Sequence, residues 1–179
     1  MFINQTISKF LIFFFCFSIF SSIAQTNEDV PLNNIAINQT PKPILPIIFE
    51  DFLGNEINLK NYYGKLIIIN FWATWCAPCR EEMPSLDKLQ IDEELENLKI
   101  FPINVGQEKI SKSEDFYKDY KIKNLDIYHD QSLNLPNKFL LRGLPTTIFI
   151  DKNGLEFARA VGSIDFQNEK FINWLKKYD

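Results

Sequence analysis

Residues 70–84 read NFWATWCAPCREEMP and set two cysteines, Cys76 and Cys79, one helical turn apart. Before them runs LIIINFW (66–72), an almost continuous apolar stretch of the kind a strand shows when both its faces are covered. After them the period becomes helical: Met83, Leu86, Leu89 and Leu95 share one face, and Glu81, Asp87, Lys88, Asp92 and Glu93 take other positions. Pro78 suits a first turn, and Pro84 is expected to kink the helix, since it has no N–H for the carbonyl of Arg80. Cys76 then sits at a helix N-terminus, where unpaired N–H groups and the macrodipole favour a thiolate. Cys79 lies one turn further in, within reach of Cys76 and shielded from large partners. The pair suits a cycle in which Cys76 attacks an external disulfide and Cys79 resolves the mixed disulfide.

Blander readings of the same residues fit less well. A zinc half-site needs more ligands, and beyond this pair the mature chain offers no Cys and one His, His129. A purely structural bridge would close too small a loop to restrain the unfolded chain much. Trp72 and Trp75 alone would be ordinary core aromatics; beside the pair they are expected to wall it and exclude water.

Composition fits one globular domain: 179 residues, 46% hydrophobic and 15% aromatic, can bury a real core. The formal charge is −4, from 19 basic and 23 acidic residues, and no run of Lys or Arg forms a phosphate-tracking patch. Nucleic acid is therefore not an expected partner. At the start, Lys9 precedes an apolar run from Phe10 to Phe20 and a small-residue end, Ser22-Ile23-Ala24. Residues 1–24 read as an export signal, with a retained membrane anchor as the alternative. Cys16 reads as an apolar residue of that run, because Phe13, Phe14 and Phe15 precede it where a lipid-attachment signal wants small residues. The mature chain keeps Cys76 and Cys79 outside the reducing cytosol.

Residues 25–45 carry Pro31, Pro41 and Pro43 and are expected to form an extended linker, leaving 46–179 as the domain. Ile47–Phe52 and Ile57–Leu59 flank Gly54-Asn55 as a short hairpin. A strand over Ile100–Val105 precedes a helix starting at Ser113 with Phe116, Tyr117 and Tyr120, then a strand over Leu125–Tyr128. Asp130–Leu141 has a helical pattern interrupted by Pro136. Thr146–Ile150 and Leu155–Val161 pair across Asp151-Lys152-Asn153-Gly154, and a last helix follows, with Asp165 as N-cap and Phe171, Ile172, Leu175 and Tyr178 on one face. This alternation describes one α/β domain with a mixed central sheet.

FWATWCAPC with REEMP, and RGLPTTIFIDKNG (142–154) far downstream, resemble the thioredoxin fold. Within it they are similar to the TlpA/ResA-like extracytoplasmic thiol-disulfide oxidoreductases, including those of cytochrome c maturation. The resemblance spans roughly Ile44 to Trp174. It implies a thioredoxin-like fold, a mixed β-sheet flanked by helices, with an N-terminal β-hairpin and a helix-strand insertion over Ser113–Tyr128. It further implies a cis Pro145 facing the cysteines, with Leu144 pairing its backbone to an extended substrate and Trp75 and Pro78 beside it. Asn70 stands where thioredoxins carry a buried Asp, and Asn cannot take a proton from the buried cysteine. Glu82, on roughly the same helix face as Cys79, matches an acidic residue of ResA-like proteins that could do so; the alternative is a solvated carboxylate, as Glu81 is expected to be.

The activity so implied is reduction of disulfides in client proteins, apocytochrome c first among them, at the periplasmic or extracytoplasmic face. A membrane thiol donor would supply electrons to a monomer that needs no bound cofactor. A general disulfide oxidase or isomerase is the nearest alternative. A Cu(I)-binding assembly protein, using both thiolates and His129, is the rival from another class. A peroxidase is weaker still, since the peroxiredoxin-type Pro and Thr are not in place before Cys76.

Overall fold

A computed structural model describes Leu32–Asp179; the expected signal or anchor lies outside the described residues. The strands are β1 (Ile35–Pro43), β2 (Ile48–Asp51), β3 (Glu56–Asn58), β4 (Leu66–Trp72), β5 (Leu98–Asn104), β6 (Tyr128–His129), β7 (Thr146–Ile150) and β8 (Leu155–Val161). The helices are α1 (Ala77–Leu89), α2 (Ile110–Tyr120), the single turn α3 (Leu135–Lys138) and α4 (Glu169–Leu175). All eight strands join one sheet in the order β1-β8-β7-β4-β5-β6-β2-β3. It is mixed: β4 pairs with β5 and β5 with β6 in parallel, and the other neighbours are antiparallel.

Strand β4 is buried along its whole length, and its alternation divides the core. Leu66, Ile68 and Trp72 face a cluster built with Met83, Leu86 and Leu89 of α1 and Phe171, Trp174 and Leu175 of α4. Ile67, Ile69 and Phe71 face a second cluster containing Phe49, Phe101, Ile103 and Phe139. Asn70 shares the period-two face of Ile68 and Trp72, so a fully buried amide is carried beneath α1. The β7–β8 turn places Gly154 at φ +79°, against the Tyr63 ring, where an added Cβ would lie 2.4 Å from a ring carbon. Glycine is required there both for its left-handed backbone and for that close approach.

Several expected boundaries are corrected. Ile35–Pro43 is not linker but an edge strand on β8, with Ile35 buried opposite Ala160 and an irregular register between Ile37 and Lys42. Pro41 and Pro43 are tolerated because one side of an edge strand owes the sheet no N–H. Helix α2 begins at Ile110, three residues before Ser113, whose hydroxyl accepts a bond from Asn104 Nδ2. Helix α1 ends at Leu89, so Leu95 joins the core from the following turn. The β6 strand is two residues long. Asn168, not Asp165, caps α4, accepting from the amides of Lys170 and Phe171.

Candidate active site

Cys76 and Cys79 are joined, with S–S 2.02 Å and Cα–Cα 5.3 Å. Cys76 is the N-cap of α1, and its sulfur accepts from the Cys79 amide at 3.3 Å. The β4 strand delivers this corner because Trp72 anchors it: its ring is buried and Nε1 donates to the Pro102 carbonyl at 3.3 Å. Cys76 is 5% exposed and Cys79 is fully enclosed. Trp75 does not wall the pair off from water as expected, because it is 64% exposed and its Nε1 donates to the Gly106 carbonyl at 3.2 Å. With exposed Pro78 it offers an apolar surface beside the disulfide.

Of the two readings of Glu82, the solvated one fails. It is 3% exposed; Oε1 accepts from Asn70 Nδ2 at 2.8 Å and Oε2 from the Ile164 amide at 2.8 Å. Burial pushes its pKa up to about 7, and the two accepted bonds offset only part of that cost. Glu81, one residue earlier and about 100° round the helix, is exposed. Asn70 Nδ2 also donates to Thr147 Oγ1 at 3.1 Å, whereas Asn70 Oδ1 has no partner among the described residues. An orphaned buried acceptor costs about 1–3 kcal/mol, so polarity is maintained beneath the cysteines against the preference of the core.

The Leu144–Pro145 peptide is cis, and the buried Pro145 accepts from the Gly162 amide at 2.9 Å. Leu144 is half-buried and packs against the cluster that contains both cysteines. His129 and the cysteines do not converge on a metal site: no group of three or more His, Cys, Asp or Glu side chains able to hold one forms among the described residues.

One feature escaped the sequence reading. Glu108, in the loop after β5, accepts from the Thr74 amide at 2.8 Å, from the Thr74 hydroxyl, and from Asn104 Nδ2 at 2.8 Å. These bonds hold its carboxyl below the usual range despite partial burial. Asn104 Oδ1 accepts from the Gly106 amide at 2.7 Å, closing a network under residues 74–75. A loop at the carboxyl end of a parallel strand is a site signal, but nothing in the VGQEK run shows which polar side chain reaches Thr74. A Cβ at Gly106 would lie 2.7 Å from Ala73 Cβ, 2.9 Å from Glu108 Oε1 and 3.0 Å from Trp75 Nε1. Gly106→Ala is therefore expected to cost about 1–3 kcal/mol by overpacking, seen as a lower denaturation midpoint at unchanged slope. An unchanged midpoint would show that the loop relaxes freely.

The AhpC/TSA family model matches residues 38–155. The chain belongs to that family. Over 130 residues it is 33% identical to thiol-disulfide oxidoreductase ResA of Halalkalibacterium halodurans, covering 72% of this chain and 73% of that protein. It is 36% identical over 107 residues to ResA of Geobacillus kaustophilus, and there it spans 60% of the relative's length and of its own. A solved thiol:disulfide interchange protein of the thioredoxin family, from Chlorobium tepidum, superposes with a TM-score of 0.66 at 24% identity, covering 79% of this chain and 98% of that one. The fold is thioredoxin-like, as the motifs implied.

Proposed function

We propose that the protein is an extracytoplasmic thiol-disulfide oxidoreductase that reduces disulfides in client proteins, apocytochrome c first among them. The observation that carries this reading is the Cys76–Cys79 pair, with Cys76 capping α1 and Cys79 enclosed behind it. The exchange chemistry is supported by relatives named thiol-disulfide oxidoreductase ResA, and the reductive direction and the client rest on the resemblance of the motifs to the TlpA/ResA-like group.

In the reduced protein the Cys76 thiolate, favoured by the helix N-terminus, attacks one sulfur of the client disulfide. That bond breaks, a Cys76–client disulfide forms, and the client's other sulfur leaves as a thiolate that takes a proton. Cys79 then gives up its proton, for which Glu82 is the buried base, and attacks Cys76. The second client sulfur leaves as a thiolate and is protonated. Two electrons and two protons pass to the client, and the protein is left with its internal disulfide. A membrane thiol donor restores the dithiol. No bound cofactor enters the cycle, and the Cu(I) alternative lacks support because no group of three or more His, Cys, Asp or Glu side chains able to hold a metal forms among the described residues.

With limiting iodoacetamide, the reduced protein should be labelled first at Cys76; first labelling at Cys79 would reverse the roles. The client assignment is tested by Cys79→Ser, which should accumulate mixed disulfides on Cys76. Apocytochrome c among the trapped proteins supports it. A broad set of unrelated exported proteins without apocytochrome c would favour the general oxidase or isomerase.

A further inference from the structure

Two cavities lie along the carboxyl edge of the parallel strands. The larger, of about 670 Å³, is lined by Asn104 at the end of β5, by Glu108 and Lys109, and by His129 and Asp130 at the end of β6. The smaller, of about 230 Å³, shares Asp130 and Gln131 with it and is lined further out by Glu50 and Glu56. Glu108 is also the residue that holds Thr74, two positions before Cys76. The groove therefore starts at the Glu108 side chain that holds Thr74 and ends at the β2–β3 edge of the sheet.

The groove is negative along its length: four carboxylates, of Glu108, Asp130, Glu50 and Glu56, face one ammonium, Lys109. Asp130 is committed locally, accepting from Ser132 Oγ and the Leu135 amide, each at 2.8 Å. Glu50 and Glu56 are not: neither forms an ion pair among the described residues. They are direct cross-strand partners in the β2–β3 ladder, an arrangement in which like charges oppose folding. His129 is 6% exposed, and its Nε2 has no partner among the described residues. Burial holds the imidazole below its ordinary range, so it adds no compensating positive charge at neutral pH.

We infer that this groove is a docking subsite for a basic, extended segment of the client polypeptide flanking its disulfide. The inference rests on the exchange reaction proposed above. Cationic side chains would meet Glu50 and Glu56 at the outer end and Glu108 near Cys76, and His129 Nε2 would gain the hydrogen-bond partner it lacks. Electrostatic complementarity of this kind raises the rate of productive encounter and is screened by salt.

The test uses reduced Cys79→Ser protein, so that Cys76 attacks once and stops. Two cysteine peptides of matched length, one flanked by Lys and Arg and the other by Glu and Asp, are activated as mixed disulfides with thionitrobenzoate. Release of the coloured thiol then reads the rate. The basic peptide is expected to react roughly tenfold faster at low ionic strength, with the ratio falling towards one in high salt. In Glu50→Gln/Glu56→Gln, which relieves a like-charge pair and should fold at least as well, the ratio should fall at low salt too. Equal rates for the two peptides, or a ratio unchanged in the double variant, would overturn the inference. Failure of Cys76 to release the thiol from a small uncharged mixed disulfide would instead overturn the exchange reaction, and the docking proposal with it.

Discussion

Cys76→Ser is expected to abolish disulfide exchange, and Cys79→Ser to permit one attack and then stall. The asymmetry follows from position. The Cys76 sulfur caps α1, accepts from the Cys79 amide at 3.3 Å and keeps a narrow opening to solvent. A thiolate there is stabilised in the reduced state by the unpaired N–H groups and the helix dipole. A serine hydroxyl has neither the acidity nor the leaving ability of the thiol, so no mixed disulfide forms. The Cys79 sulfur has no access of its own and is expected to act only on a bond already made to Cys76. Steady-state reduction of a peptide disulfide should fall to background in both variants, while intact-mass analysis separates them: an adduct with Cys79→Ser and none with Cys76→Ser. An adduct on Cys79 in the Cys76→Ser protein would refute this order.

Glu82→Gln is expected to make the oxidised protein more stable above neutral pH. Glu82 has a folded pKa of about 7 against an ordinary value of 4.5. A carboxyl whose pKa is raised on folding contributes no penalty while protonated; as pH rises from 4.5 through 7 the unfolded state ionises first and stability is lost. The full loss is about 3 kcal/mol. Glutamine is uncharged like the neutral acid; with its oxygen accepting from the Ile164 amide and its NH2 donating to the otherwise unpaired Asn70 Oδ1 once that amide turns over, the variant should match the wild type near pH 4 and exceed it by about 3 kcal/mol above pH 8. His129, held below its usual range, works in the opposite sense between its folded pKa and 6.5. The diagnostic is therefore the difference between wild type and variant in denaturant melts across pH, not the wild-type slope alone. In the reduced protein the same substitution removes a buried negative charge near the thiols and should lower the first thiol pKa, the pair titrating as a coupled system. A flat stability difference together with an unchanged thiol pKa would make Glu82 a structural group only. Retention of so costly a residue is consistent with a site that gives up stability for activity.

How much of this the sequence discloses depends on how local each cause is. The buried β4, the helix behind the cysteines and the Asn153-Gly154 hairpin are written in runs of a few residues, and all three form. β1 was hidden because its prolines resemble a linker, and only its place at the sheet edge makes them acceptable. Asp165 reads as the cap of the last helix because capping chemistry is local, yet the chain turns into α4 three residues later, at Asn168. Asn70 stands out as a departure from the thioredoxin pattern, and Glu82 as a match to an acidic residue of ResA-like proteins. Their meaning came from Thr147 and Ile164, brought in from β7 and from beyond β8. Glu108 gave no signal, because its link to Thr74 spans 34 positions and crosses from one strand's end to the next.

The most direct measurement is a single-turnover exchange between reduced protein and an equimolar disulfide peptide, quenched in acid and read by mass on both partners. If Cys76 and Cys79 form a dithiol reductant, the peptide gains two hydrogens for every two the protein loses, and the new bridge maps to Cys76–Cys79. Peptide thiols appearing without that bridge, or no exchange under conditions where free Cys76 alkylates normally, would contradict it.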